Sequence, residues 1–269
     1  MTVESLKKIA VFGVPRSGTS WLGEILNSHQ EVLYRYQPLF SHGHKGKLHD
    51  RSTGEEIDAF FEEIRYSTDE FALRGGAFHQ DYPIFLKSES PKCIAFKETR
   101  YLNIIPNLLE QANSLLLIGI LRHPIEVLHS WMNAPKEFAP NWDIRSEWRD
   151  APLKNQNRPE EYYGYHRWKE AYFSFSELEA RFPSTFKMVR YSTLRANTIK
   201  TTEEIFSFCG LGMSAQIIDF IEESSKRHDE NPYSVFRSRA GKEGWKRELP
   251  KDIIYEIERD LEREDIQFF

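Results

Sequence analysis

Two stretches of this sequence carry residue types that bind anions. In the first, Gly13-Val14-Pro15-Arg16-Ser17-Gly18-Thr19-Ser20-Trp21 joins a short apolar run to an amphipathic one. Read as strand, loop and helix, it places the loop against a helix start, where unpaired N–H groups and the positive end of the dipole meet. Glycine lets an anion approach the backbone, Ser17, Thr19 and Ser20 add hydroxyl donors, and Arg16 adds a fixed charge. The chemistry of such a loop is phosphate binding. The spacing Gly13-x4-Gly18 is that of a nucleotide-binding loop, but Thr19 stands where that motif has lysine. The cation comes earlier, at Arg16, which suits a single 5′-phosphate bearing a transferable group. The plainer alternative is a Gly/Ser turn with a helix cap. In the second stretch, Leu121-Arg122-His123-Pro124 ends an apolar run and opens a helix with Pro124 in its first turn. Arg122 therefore leaves the carboxyl end of a strand, the edge where open α/β sheets bind ligands. It suits a phosphate there, or else an ion pair with Glu126.

Both stretches need a frame of buried strands. Ile9–Gly13, Cys93–Phe96, Leu115–Leu121 and Phe186–Val189 are short apolar runs, typical of parallel strands covered on both faces. Apolar residues at helical spacing follow each: Trp21, Leu22, Ile25 and Leu26; Ile104, Leu108 and Leu109; Val127, Leu128 and Trp131; Ile205, Phe206 and Phe208. The alternation predicts an α/β fold of three layers, P-loop-like, with a central parallel sheet flanked by helices and joined by right-handed crossovers. A single domain over residues 1–269 is expected. Two stretches break the alternation. Ser41–Gly54 is polar and rich in His, Lys and Gly, and Ala134–Pro159 carries Trp142, Trp148 and four prolines. Each reads as a lid or substrate loop, or as a surface insertion.

Composition narrows the function classes. The chain has 269 residues, 40% apolar and 29% charged, with 14% aromatics, which excludes disorder. The net charge of −5 argues against a nonspecific nucleic-acid partner, though not against a small anion in a local pocket. Cys93 and Cys209, the only cysteines, make no disulfide framework or zinc site. No run is apolar enough for a signal peptide or a membrane span. The expectation is a cytoplasmic protein with no membrane partner.

The segment Pro15-Arg16-Ser17-Gly18-Thr19-Ser20-Trp21-Leu22 resembles the 5′-phosphosulfate loop of the sulfotransferases that use 3′-phosphoadenosine 5′-phosphosulfate (PAPS). Gly23–His29 and Gln37-Pro38-Leu39-Phe40 are most similar to the carbohydrate-type branch. The resemblance implies sulfuryl transfer from PAPS to an acceptor hydroxyl, on a small molecule or a carbohydrate, with adenosine 3′,5′-bisphosphate as product. It assigns the 5′ end of the cofactor to Arg16, Ser17, Gly18, Thr19, Ser20 and Trp21. The family pattern Arg-x7-Ser gives the 3′-phosphate to Arg122 and Ser130. Arg237–Lys246 looks like the late basic loop that closes over that phosphate; Arg239 and Gly241 match, Ala240 replaces a lysine, and Lys242 can restore the charge. Tyr191 resembles the tyrosine near the adenine, or is a core residue.

Sulfuryl transfer needs in-line reactants, a neutralised leaving phosphate and a base. Arg16 serves the leaving group, and Lys97 the bridging or sulfuryl oxygens. Several family branches have a carboxylate where this chain has Gln37, whose amide takes no proton but can orient a hydroxyl. The candidate bases are Glu98 first, then His42 or His44. Glu98 joins Lys97 in the site only if the strand has already ended between them, since successive strand residues face opposite ways; otherwise it pairs with Arg100. His42, His44 and His49 match no zinc spacing, and the chemistry requires no metal. The competing readings are a P-loop kinase or NTPase with a degenerate loop, and a non-catalytic nucleotide-binding module.

Overall fold

A computed structural model describes residues 6–74, 83–227, 229, 231, 233–236 and 248–267. The first half runs β1 (Lys7–Phe12), α1 (Thr19–Asn27), β2 (Val32–Tyr36), α2 (Gly54–Arg65), β3 (Cys93–Glu98), α3 (Ile105–Gln111), β4 (Leu115–Leu121) and α4 (Pro124–Met132). Two short helices follow, α5 (Ile144–Glu147) and α6 (Pro152–Asn155), then α7 (Tyr165–Arg181), β5 (Phe186–Arg190), α8 (Tyr191–Ala196), α9 (Thr198–Cys209), α10 (Ala215–Lys226) and α11 (Lys251–Arg263). The strands form one parallel sheet in the order β2-β3-β1-β4-β5. Parallel pairing brings all five carboxyl ends to one edge, so the loops after Phe12, Tyr36, Glu98, Leu121 and Arg190 meet there.

Strand alternation sorts the side chains into two cores. Ile9, Val11, Ala95, Ile118 and Ile120 pack with Leu22, Ile25, Phe206 and Phe220 of α1, α9 and α10. Ala10, Phe12, Ile94, Phe96 and Leu117 pack with Phe61, Leu108, Trp131, Phe175 and Ile257 of α2, α3, α4, α7 and α11. Helices thus cover both faces, as the apolar runs predict.

The sequence reading missed β2, because Arg35 and two tyrosines break its apolar pattern. Arg35 is nevertheless buried. It donates to the carbonyls of Ile64 and Arg65, both at 2.6 Å, and of Tyr34 at 3.0 Å. It thereby closes the carboxyl end of α2, whose last carbonyls lack helix partners. The amino end of α2 carries a capping box of Thr53 and Glu56.

Candidate active site

The strand ends open into a cleft of about 600 Å³. Every strand supplies part of its wall: Arg16, Gly18, Thr19 and Ser20 after β1, Tyr36 and Gln37 from the end of β2, Lys97 and Thr99 from β3, Arg122 after β4, and Tyr191 after β5. Among the described residues seven cations line it, Arg16, Lys97, Arg100, Arg122, Lys136, Lys154 and Arg195, against two carboxylates, Glu137 and Asp229. A chain of net charge −5 has therefore gathered a positive interior at this edge.

The first loop is shaped by its glycine. Gly18 precedes α1 with φ +94°, and a Cβ there would lie 2.5 Å from the Tyr191 ring. Only glycine satisfies both the backbone and the packing. Arg16 takes the left-handed conformation without that freedom, at φ 73°, a strain that clusters at functional sites. Its Nε donates to Ser130 Oγ at 3.1 Å, its Nη1 lies 3.5 Å from Glu137 Oε1, and its guanidinium stands 5.3 Å from the Tyr233 ring. Thr19 and Ser20 occupy the first turn of α1 and line the cleft. Ser17 does not: its hydroxyl is fully buried under the loop, with no hydrogen-bond partner among the described residues.

Arg122 makes the expected ion pair and also reaches the first loop. Its Nε pairs with Glu126 Oε2 at 2.7 Å, while its Nη1 donates to the Arg16 carbonyl at 3.3 Å. The Trp168 indole holds the Arg122 carbonyl at 2.8 Å. The guanidinium lies 4.8 Å from the Tyr191 ring, which meets Trp21 edge-on at 6.1 Å. Trp21 in turn donates to Ser224 Oγ at 3.1 Å. Trp21, Tyr191 and Phe236 form an aromatic side of the cleft beside the two arginines.

At the other side, Lys97 and Glu98 part company. β3 runs through both residues, so they face opposite sides of the sheet. Lys97 lines the cleft under α1, where a Cβ on Gly23 would come 3.3 Å from its Cγ. Glu98 is fully buried in the opposite layer and accepts the Leu39 amide at 2.7 Å. Burial pushes its carboxyl up to about 8. As a candidate base it is thus corrected: it faces away from the cleft. The expected pair with Arg100 does not form either, since Arg100 bonds Glu161 at 3.0 Å.

The histidines fare likewise. His42 is exposed outside the cleft wall. His44 is buried between Glu63, at 2.9 Å, and Ser67, at 2.7 Å, which pins residues 41–48 onto α2. Gln37 does line the cleft, at φ 40°, with its amide donating to Thr99 Oγ1 at 2.9 Å. Among the described residues no three His, Cys, Asp or Glu side chains gather as a metal site. Arg239, Gly241 and Lys242 lie outside the described residues.

Sequence reasoning did not reach Tyr36, Thr99, Glu137, Lys154, Tyr233 and Phe236, which complete the wall. Glu137 and Lys154 come from the irregular stretch 134–159, whose position between strands was its only signal. Tyr163 belongs to the core with Trp148, Tyr162 and Tyr165, and of these four it alone also lines the cleft.

A model of the Sulfotransferase family matches residues 8–215. No curated protein matches the chain. Among solved structures, mouse sulfotransferase SULT7A1 complexed with PAP shares 16% identity at a TM-score of 0.57, over 96% of this chain and 83% of that one. Retinol dehydratase in complex with androsterone and inactive cofactor PAP shares 15% at 0.56, over 97% and 82%. The same enzyme with retinol and PAP shares 14% at 0.56, over 98% and 83%. At these identities the likeness is one of fold.

Proposed function

This chain belongs to the sulfotransferase family, and we propose that it transfers a sulfuryl group from PAPS to the hydroxyl of a small-molecule or carbohydrate acceptor. One observation carries the reading: Arg16 and Arg122 line the same cleft, bonded to each other, with an aromatic side next to them. A doubly phosphorylated adenosine needs that combination.

The residues fit such a cofactor. The first-turn amides of α1 and the hydroxyls of Thr19 and Ser20 stand where a 5′-phosphate would meet the helix dipole. Arg16 neutralises the departing phosphate, and Lys97 the sulfuryl oxygens. Arg122 and Ser130 take the 3′-phosphate, the group to which the resemblance also assigns Arg239, Gly241 and Lys242. Trp21 and Tyr191 flank the adenine. Ser17 contributes through its backbone, since its side chain is buried. PAPS supplies an activated sulfuryl group, so these cations and amides serve without a metal. Gln37 and Thr99 orient the acceptor, and Phe40, Phe71 and Tyr163 offer ring faces to it. The single domain and a cytoplasmic home belong to the same reading, and the two buried free cysteines suit a reducing compartment.

Calorimetry tests it. Adenosine 3′,5′-bisphosphate is expected to bind without metal and to raise the melting temperature, whereas ATP with Mg²⁺ is not. The opposite pattern would favour a kinase or NTPase. Transfer of radiolabelled sulfate to any hydroxyl in an acceptor panel excludes a non-catalytic module.

A further inference from the structure

A hydroxyl acceptor must lose its proton, and the described side chains leave few groups to take it. Glu98 faces the far layer, His42 lies outside the cleft wall, and Gln37 is an amide. Of the two described carboxylates of the cleft, Glu137 lies on the Arg16 and Ser130 side, and Asp229 follows α10 beside Phe236, on the aromatic side. Tyr36 stands differently. It ends β2 in register with Lys97 of β3, on the same face of the sheet. It is part of the cleft wall and only partly buried. It shares that wall with Ser20 of the anion loop and lies beside the Lys97 cation. Lys97 Nζ lies 4.2 Å from its ring centroid and the Arg74 guanidinium 4.1 Å.

We propose that Tyr36 is the proton acceptor of the transfer reaction, acting in its ionised form beside the Lys97 and Arg74 cations. The role rests on the sulfotransferase reading above. In the step, the acceptor O–H bond breaks and its proton goes to the Tyr36 oxygen. The acceptor oxygen uses the freed electron pair to bond sulfur. The bond from sulfur to the 5′-phosphate oxygen breaks, and its pair stays on the phosphate, opposite Arg16 and Lys97. Tyr36 returns the proton to solvent once product leaves.

The surrounding charges favour this state. Burial opposes a phenolate, but the Lys97 and Arg74 charges outweigh it and bring the hydroxyl below the ordinary tyrosine range. Arg74 is itself paired with buried Glu24. Burial pushes the Lys97 ammonium down, and the charge of an ionised Tyr36 would push it back up. Glu98, next to Lys97 on the opposite face, is pushed up to about 8 and is largely neutral near pH 7.

The test has a spectroscopic and a kinetic arm. Tyrosinate absorbance of the free protein is titrated for wild type and Tyr36→Phe. The difference should contain one tyrosine ionising below about 10, and Lys97→Met should move that step upward. With radiolabelled PAPS and a panel of phenol, alkyl and sugar hydroxyls, Tyr36→Phe should lose about 100-fold or more in kcat. The ascending limb of its pH profile should vanish, while its affinity for adenosine 3′,5′-bisphosphate stays within about twofold, which also reports a folded site. The role is overturned if the difference titration holds no early step, or if Tyr36→Phe transfers at the wild-type rate with the same profile. If wild type does not bind the bisphosphate, the sulfotransferase reading itself falls; if it binds and only the Tyr36 results fail, that reading stands.

Discussion

Arg16 Nε donates to Ser130 Oγ at 3.1 Å, across 114 residues of sequence. One side chain comes from the loop after β1 and the other from the second turn of α4. The bond ties the proposed 5′ and 3′ phosphate sites together before any ligand arrives.

Arg16→Ala should cost turnover far more than cofactor affinity. Charge grows on the departing phosphate in the transition state, where Arg16 interacts most strongly. A loss of roughly 10²- to 10³-fold in kcat is expected, as for removal of one transition-state donor. Steady-state kinetics with PAPS as the varied substrate check it; a change confined to KM would contradict the role.

Arg122→Ala should act on binding. Loss of a charged hydrogen bond to phosphate weakens adenosine 3′,5′-bisphosphate by about 1.5–3 kcal/mol. The lost pair with Glu126 matters little, since Glu126 is half exposed. Calorimetric affinity equal to wild type would remove Arg122 from the site.

Glu98→Gln should stabilise the protein at alkaline pH. The folded carboxyl is pushed up to about 8 by burial, above its unfolded value near 4.3. The native state therefore binds the extra proton between those values, and stability falls as pH rises through that window, by up to about 1.4 kcal/mol per unit. Glutamine mimics the protonated acid and can still accept the Leu39 amide. Denaturant melts at about pH 5 and about pH 8 should give curves that coincide at the first and favour the variant at the second. A variant weaker at both would mean that Glu98 is charged in the fold.

Gly18→Ala should damage the loop and the adenine side together. A left-handed non-glycine residue costs about 1–2 kcal/mol, and the new methyl would collide with the Tyr191 ring, 2.5 Å away. Lower stability in denaturant and weaker bisphosphate binding are both expected. Normal values of both would show that the loop has another conformation available.

The anion-loop side of the cleft was legible in the sequence because it is local. Gly13 to Trp21 carries its glycines, hydroxyls and cation within one strand–loop–helix unit, and Arg122 follows its strand directly. Such spacing sets backbone geometry with little help from the rest of the chain. Even there, Ser17 was misjudged, since only the packed loop turns its hydroxyl inward. The acceptor side was harder to read. Lys97 and Glu98 look equivalent as neighbours, and it was the persistence of β3 through both that separated them by face.

The order of residue types along the chain determined the alternating layers, the buried strands and the anion-binding loop, because hydrophobic periodicity and helix-end chemistry act over a few residues. Tertiary structure alone decided the rest. Parallel pairing aligned Tyr36 with Lys97, and the fold of 134–163 brought Glu137, Lys154 and Tyr163 to the cleft. These contacts depend on which strands become neighbours and how far each extends. That is settled by the packing of the two cores as a whole, and no short window of sequence contains it.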